Sequence, residues 1–134
     1  MFSYSHTVQY YETDKMGVTH HSNYIRFMEE ARIAFMQSIG WSYDKMESME
    51  IISPVVNVSC SYKKPNTFAD IININTEVKE LSRLKLTMAY TMTVGDTVVC
   101  TAESVHCFVS KSGRPINIQK EYPDFYQVVC DASR

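Results

Sequence analysis

The 134-residue sequence lacks long hydrophobic runs, and this absence excludes several classes of protein. No stretch of about 18 apolar residues occurs, so neither a transmembrane helix nor stable membrane insertion is expected. The N-terminal segment MFSYSHTVQYYE has neither a basic region nor an apolar core, so no signal peptide is expected. The net charge of −2 gives no reason to expect a nucleic-acid partner.

Closely spaced cysteines are missing as well. Cys60, Cys100, Cys107 and Cys130 are scattered along the chain without any C-x-x-C spacing. A chain of this length can bury a sizeable core and does not need disulfides for stability. We therefore expect four reduced thiols in a cytoplasmic protein.

The sequence also has no repeat, no low-complexity segment and no linker rich in proline, glycine or serine. Residues 1–134 are therefore expected to form a single domain. Apolar residues make up 45% of the chain and charged residues 21%, which is an ordinary balance for a globular protein.

Two hydrophobic periodicities predict the secondary structure. Residues 22–39 carry apolar side chains at spacings of three and four, which predicts a helix ending at Gly40. Apolar side chains also occur on its other side, so we expect protein to cover most of this helix. Residues 84–94 alternate strictly, which predicts a strand, and Gly95-Asp96 predicts a hairpin turn into the next one.

The remaining segments complete an α+β fold. Strands are expected at 3–11, 51–62, 70–81, 84–94 and 98–109, a loop at 41–50 and a short terminal helix at 119–129. One antiparallel sheet and one largely apolar helix bury each other best when the sheet wraps around the helix. Exposed sheet edges favour dimerisation through an edge strand.

The segment YYETDKMGVTHHSNY, residues 10–24, carries most of the candidate chemistry. Asp14 and Gly17 occupy the first and last positions of a type I turn, in which the aspartate caps a backbone N–H. Alternatively, Asp14 is a reactive carboxylate that faces the start of the helix, where unpaired N–H groups can polarise a carbonyl oxygen. Glu12 is expected to be a surface acid on a strand.

Other catalytic signatures are absent from the sequence. No H-x-x-x-H or H-E-x-x-H spacing occurs, so His20 and His21 are not expected to bind a metal. No G-x-S-x-G nucleophile motif occurs either. If the protein carries out acyl chemistry, Asp14 is the best candidate for the reactive group.

The order of residues in this segment resembles a known family. Y-Y-E-T-D-x-x-G-V-x-x-H-x-x-Y, followed by F-x-E-x-A-R and later by Tyr62-Lys63-Lys64-Pro65 and Asp70, is similar to the 4-hydroxybenzoyl-CoA thioesterase-like family. This family has the hotdog fold and includes the bacterial Tol–Pal-cluster type. The likeness extends over nearly the whole chain, but Lys15, Met16 and the pair Thr19-His20 depart from the usual pattern.

The resemblance implies a fold, an assembly and an activity. It implies a five-stranded antiparallel sheet wrapped around one long central helix, in a homodimer or homotetramer with active sites between subunits. It implies an acyl-CoA thioesterase that needs no cofactor, with Asp14 as the catalytic acid and the His21 backbone N–H at the thioester carbonyl. The alternative is a non-catalytic hotdog module that binds acyl-CoA or acyl carrier protein, with Lys15 pairing with Asp14.

Further site residues follow from the same resemblance. Tyr11 matches a nearby aromatic residue of the catalytic site. Three residues of the motif, Gly17, Val18 and Tyr24, are expected to bind substrate. Basic residues that could hold the phosphates of coenzyme A are Arg83, Lys85 and Lys63, with Lys64 beside them.

Overall fold

Five strands, three of them in the second half of the chain, form one sheet. The computed structural model describes residues 2–134. Residue 1 of the expected domain lies outside the described residues. The strands are β1 Phe2–Thr7, β2 Val55–Tyr62, β3 Ile71–Leu81, β4 Lys85–Val94 and β5 Thr97–Cys107. The helices are α1 Asn23–Ser38, α2 Tyr43–Ser48, α3 Ile118–Glu121 and α4 Pro123–Ala132.

All strand pairs are antiparallel, in the order β1-β3-β4-β5-β2. In β4 every second residue is buried against the helix, and Val94 pairs with Thr97 across the two-residue turn. The expected five-stranded α+β hotdog fold is confirmed. The order leaves β1 and β2 as the two edges of the sheet.

Helix α1 packs one face on the sheet. Its buried residues are Tyr24, Phe27, Met28, Ala31, Phe35 and Met36, at the spacing of a helix that buries one stripe. Ile25 and Ile33 on the other side remain exposed. Within one chain, the helix is therefore covered on one side only, and not on most sides as expected.

Two segments differ from the sequence prediction at the N-terminal side. The strand expected over 3–11 ends at Thr7, and Tyr10–Glu12 form one turn of 3₁₀ helix. The Glu12 side chain accepts the Gln9 backbone N–H at 2.7 Å, which closes this turn and ends the strand. The loop expected over 41–50 contains α2, whose six residues are too few to show a periodicity.

The C-terminal helix is interrupted rather than continuous. Pro123 starts α4, and the preceding Tyr122 lies outside the helical region, with φ of −134° and ψ of 64°. A residue before proline avoids helical backbone angles, which separates α3 from α4. Within residues 2–134, no helix combines the length and apolarity needed to cross a membrane.

Candidate active site

An open cleft of about 500 Å³ lies beside the start of α1. One wall is the turn 14–18, and the other is the end of β2 with the loop that follows it. The lining residues are Asp14, Met16, Val18, Thr19, His21, Tyr24, Tyr62, Lys63, Lys64 and Pro65. The fold thus brings together the acid, the helix start and two lysines that lie far apart in the sequence.

Asp14 forms the turn that the sequence predicts. Its backbone carbonyl accepts the Gly17 N–H at 3.0 Å, and its Oδ1 accepts the Met16 N–H at 2.8 Å. Gly17 has φ of +79°, a left-handed conformation that glycine adopts without strain. Among residues 2–134, no cation lies within ion-pair distance of Asp14, and its Oδ2 has no hydrogen-bond partner. The turn therefore holds one carboxylate oxygen and leaves the other free.

The helix start also presents an unpaired donor. Within the described residues, the His21 backbone N–H donates to no acceptor, whereas the neighbouring His20 N–H donates to Glu12 O at 2.8 Å. The Ser22 side chain does not cap α1. Because the first N–H groups of a helix carry partial positive charge, this end of the cleft favours a developing negative charge.

Aromatic rings line the wall next to His21. The imidazoles of His20 and His21 stack with ring centroids 4.2 Å apart. Tyr62 meets Tyr24 edge to face at 5.2 Å, and its hydroxyl donates a long hydrogen bond of 3.4 Å to His21 O. Burial raises the pKa of both the Tyr24 and Tyr62 phenols, so both remain protonated at neutral pH.

The loop after β2 holds the Asp14 turn against the fold. The Thr67 hydroxyl donates to Gly17 O at 2.6 Å, and the Thr67 N–H donates to Asp70 Oδ2 at 2.9 Å. Asn66 O accepts the Thr19 N–H at 2.8 Å. Sequence reasoning noticed Pro65 and Asp70 but missed Asn66, whose partners are more than 40 positions away.

Glu12 is the clearest correction. The sequence predicts a surface acid on a strand, but Glu12 is 5% exposed and belongs to the 3₁₀ turn. Its Oε1 accepts the Gln9 N–H and lies 2.8 Å from His6 Nε2. The other ring nitrogen of His6 lies 3.2 Å from Glu30 Oε1. Glu12 thus fixes the chain just before Asp14 from inside the protein.

Not every predicted site residue lies in the cleft. Lys63 lines it together with Asp14, Val18, His21 and Tyr24, and Gly17 lies within the turn. Tyr11 points into solvent and is 79% exposed.

The two remaining basic candidates lie at the far end of the sheet. Tyr62 pairs with Cys100 on β5, whereas Lys85 pairs with Cys107 seven residues further along the same strand. At about 3.3 Å per residue, this separates the two positions by roughly 23 Å. Arg83 lies in the turn just before Lys85. Within one chain, the structure therefore does not bring Arg83 or Lys85 to Asp14.

Within the described part of the chain, no cysteine lines the cleft, so the thiols are not candidates for a nucleophile there. All four cysteines are free. Burial and the neighbouring Cys60 thiol raise the pKa of Cys100 to about 12, which leaves it protonated and unreactive. Among residues 2–134, no three histidine, cysteine, aspartate or glutamate side chains group together as metal ligands.

Comparison with known proteins identifies the family. The five-stranded antiparallel sheet with one long helix is the fold of the solved thioesterase structures that this chain resembles. The profile of the thioesterase-like superfamily matches residues 8–130, and the chain belongs to this superfamily.

Individual relatives agree with this assignment. A protein of Aquifex aeolicus (strain VF5), provisionally named an esterase, is 42% identical over 120 residues, which cover 90% of this chain and 93% of the relative. YneP of Bacillus subtilis (strain 168), provisionally named an acyl-CoA thioesterase, is 32% identical over 121 residues, which cover 89% and 88%. A solved structure described as a DHNA-CoA thioesterase from Staphylococcus aureus superposes with a TM-score of 0.91 at 29% identity, covering 96% of this chain and 88% of that one. These similarities support a thioester hydrolase.

Proposed function

We propose that the protein hydrolyses acyl-CoA thioesters, with Asp14 as the catalytic carboxylate and the start of α1 as the oxyanion site. The observation that carries the proposal is that Asp14 and His21 line one cleft, where the acid has no cation partner among residues 2–134 and the amide has no acceptor there. A carboxylate with one free oxygen, in the same cleft as a free N–H donor, is what attack on a carbonyl carbon requires.

The reaction can follow either of two balanced routes. Asp14 can take a proton from water as the water oxygen attacks the thioester carbon, or its own oxygen can attack first and form an anhydride that water then hydrolyses. In both routes the C–S bond breaks, the CoA thiolate leaves and gains a proton, and a carboxylic acid forms. The negative charge that develops on the carbonyl oxygen is stabilised by the His21 N–H.

The surroundings of the cleft fit a coenzyme A thioester. Lys63 and Lys64 line it on the side of the β2 loop and can pair with the phosphates. Val18 and Tyr24 offer apolar surface near the reacting carbon, and the Gly17 turn leaves room for close approach. Arg83 and Lys85 remain candidates for phosphate binding only if another subunit brings them to this cleft.

The active unit that we propose is a homodimer or homotetramer. The edge strand β2 exposes Val55, Val56, Val58 and Tyr62, each between 38% and 50%. An unpaired apolar edge of this kind can form hydrogen bonds with the same edge of a second copy.

Four free thiols fit the reducing conditions of the cytoplasm, which we propose as the location.

Replacing Asp14 by asparagine tests the proposal. The asparagine side-chain oxygen can still accept the Met16 N–H, so the turn and the fold should persist. We expect kcat to fall by a factor of about 10² to 10⁴. Thiol release from short, long and aromatic acyl-CoAs measures the rate, and Asp96→Asn in the β4–β5 turn is the matched control.

The outcomes separate the two candidate functions. If Asp14→Asn hydrolyses acyl-CoA at the rate of the wild-type protein, the proposed role of this carboxylate is wrong. Tight binding of acyl-CoA without turnover by the wild-type protein would instead favour the non-catalytic binding module. The ion pair between Lys15 and Asp14 that motivated that alternative is absent from residues 2–134.

A further inference from the structure

A buried chain of hydrogen bonds ends at the cleft. The Thr19 hydroxyl donates to Asn66 Oδ1, and Asn66 Nδ2 donates to the Tyr24 hydroxyl oxygen at 2.7 Å. All three residues are buried, with exposures of 7%, 5% and 4% for Thr19, Asn66 and Tyr24. In this arrangement Thr19 is the donor at one end of the chain and the Tyr24 oxygen is the acceptor at the other.

The direction of the chain determines where the Tyr24 proton points. Because the amide oxygen of Asn66 is engaged by Thr19, its NH₂ group faces Tyr24, and the phenol oxygen acts as the acceptor. The phenol's own hydrogen must then point elsewhere. Within the described residues, the Tyr24 O–H has no acceptor. Tyr24 lines the cleft, so a molecule bound there is a candidate acceptor for this hydrogen.

Helix geometry places this hydrogen near the oxyanion site. Tyr24 is the second residue of α1, and side chains on a helix lean towards its N-terminus. The turn before Tyr24 contains His21, whose carbonyl accepts the Tyr24 backbone N–H at 3.3 Å. Tyr24 and His21 therefore lie within one helical turn of each other, and both line the cleft.

We propose that Tyr24 donates its phenol hydrogen to the thioester carbonyl oxygen, as a second donor beside the His21 N–H, and that Asn66 is the residue that positions this hydrogen. The inference rests on the proposed acyl-CoA site. It assigns Tyr24 direct contact with the reacting carbonyl, beyond packing against the substrate. Asn66 acts only through Tyr24.

Two hydrogen-bond donors on the thioester carbonyl oxygen would both stabilise the transition state of hydrolysis. As the carbon is attacked, negative charge moves onto the carbonyl oxygen, and each aligned donor stabilises that charge more than it stabilises the ground state. A phenol that already accepts a hydrogen bond is a better donor, because successive hydrogen bonds polarise one another. Asn66 therefore both orients and strengthens the Tyr24 donor.

Two substitutions remove the donor in different ways. Tyr24→Phe removes the hydroxyl and leaves the ring in its packing against Phe27 and Tyr62. Asn66→Asp keeps the shape of the side chain but offers only acceptors at pH 8, so the Tyr24 hydrogen turns towards position 66 and away from the cleft. Tyr90→Phe is the control, because it removes a buried hydroxyl that bonds Ser104 at 2.7 Å outside the cleft.

Two measurements at pH 8 read out the effect. The first is kcat on the best substrate among the acyl-CoAs tested. The second is calorimetric binding of the hexanoyl-CoA and benzoyl-CoA analogues in which a methylene group replaces the sulfur, which retain the carbonyl but cannot be hydrolysed. We expect Tyr24→Phe and Asn66→Asp each to lower kcat by about 10- to 100-fold and to weaken binding of the analogues several-fold. The double variant should be no worse than Tyr24→Phe alone, because both changes remove the same donor.

The results distinguish failure of this inference from failure of the proposed function. If the wild-type protein hydrolyses acyl-CoA and Tyr24→Phe does so at the same rate and binds the analogues equally well, the inference is wrong and the function stands. Additive losses in the double variant would also overturn the role of Asn66. If the wild-type protein binds the analogues without hydrolysing any substrate, the hydrolase proposal fails. Weaker binding by both single variants would then still support the Tyr24 donor.

Discussion

Acid should destabilise this protein through one buried histidine, His106 on β5. Burial, followed by the charge of Arg32, lowers the pKa of His106 from 6.5 to about 4. Arg32 can only donate hydrogen bonds, so the Tyr90 hydroxyl oxygen accepts from Arg32 Nη1 at 3.4 Å. The buried Tyr90 O–H then donates to the Ser104 hydroxyl at 2.7 Å. Ser104 then donates to His106 Nε2 at 2.7 Å, which makes that nitrogen an acceptor. Protonation of His106 Nε2 would remove this acceptor and break the chain of hydrogen bonds.

The sign and size of the effect follow from the two pKa values. Between pH 6.5 and 4 the unfolded chain binds a proton at His106 that the folded chain does not, so stability falls as the pH falls. The contribution is fully present above pH 6.5 and is lost towards pH 4. At about 1.4 kcal/mol per pKa unit, the loss is about 3 kcal/mol of unfolding free energy.

A comparison with His106→Gln isolates this contribution. Glutamine keeps an acceptor near Ser104 but does not titrate. Urea unfolding at fixed protein concentration, followed by the fluorescence of the buried Trp41, gives the unfolding free energy of both proteins between pH 7 and 4. We expect the advantage of the wild type to shrink by about 3 kcal/mol over this range. An advantage that stays constant with pH would refute the reasoning.

Three further predictions follow from other parts of the structure. Glu12→Ala should lower the unfolding free energy by about 1–3 kcal/mol in urea titrations, because the Gln9 N–H and His6 Nε2 lose their acceptor in a partly buried site. A loss below about 0.5 kcal/mol, typical of surface sites, would contradict the burial of Glu12. Replacing Lys63 and Lys64 by alanine should raise KM for acyl-CoA about 3- to 10-fold with kcat retained, and the increase in KM should be smaller at high salt. Lys111→Ala, the control, should leave KM unchanged. An equal increase in KM for both variants would exclude the cleft lysines as the phosphate site. Val58→Lys should convert the proposed homodimer or homotetramer to monomers in sedimentation experiments, since it places a charge on the exposed β2 edge. An unchanged sedimentation coefficient would contradict an interface at this edge.

The sheet and the long helix could be predicted because their signals are local. Strict alternation of apolar and polar residues over 84–94 predicts which face of β4 is buried. Apolar residues at spacings of three and four over 22–39 predict which face of α1 is buried. The turn at Asp14 also follows from its own four residues. A short element has too few residues to show either periodicity, which is why the sequence predicts a loop where α2 forms.

The chemistry of the cleft depends on contacts that no local pattern records. The role of Glu12 changes from surface acid to buried anchor because His6 lies beside it, and the hydrogen on Tyr24 is directed by Asn66, 42 positions away. The motif around Asp14 therefore predicts the residue that we propose as the catalytic carboxylate, whereas the loop after β2 contacts its neighbours Gly17, Thr19 and Tyr24. Substitutions in that loop should change turnover without touching the motif. Relatives that share the motif can consequently differ in activity through residues at the position of Asn66.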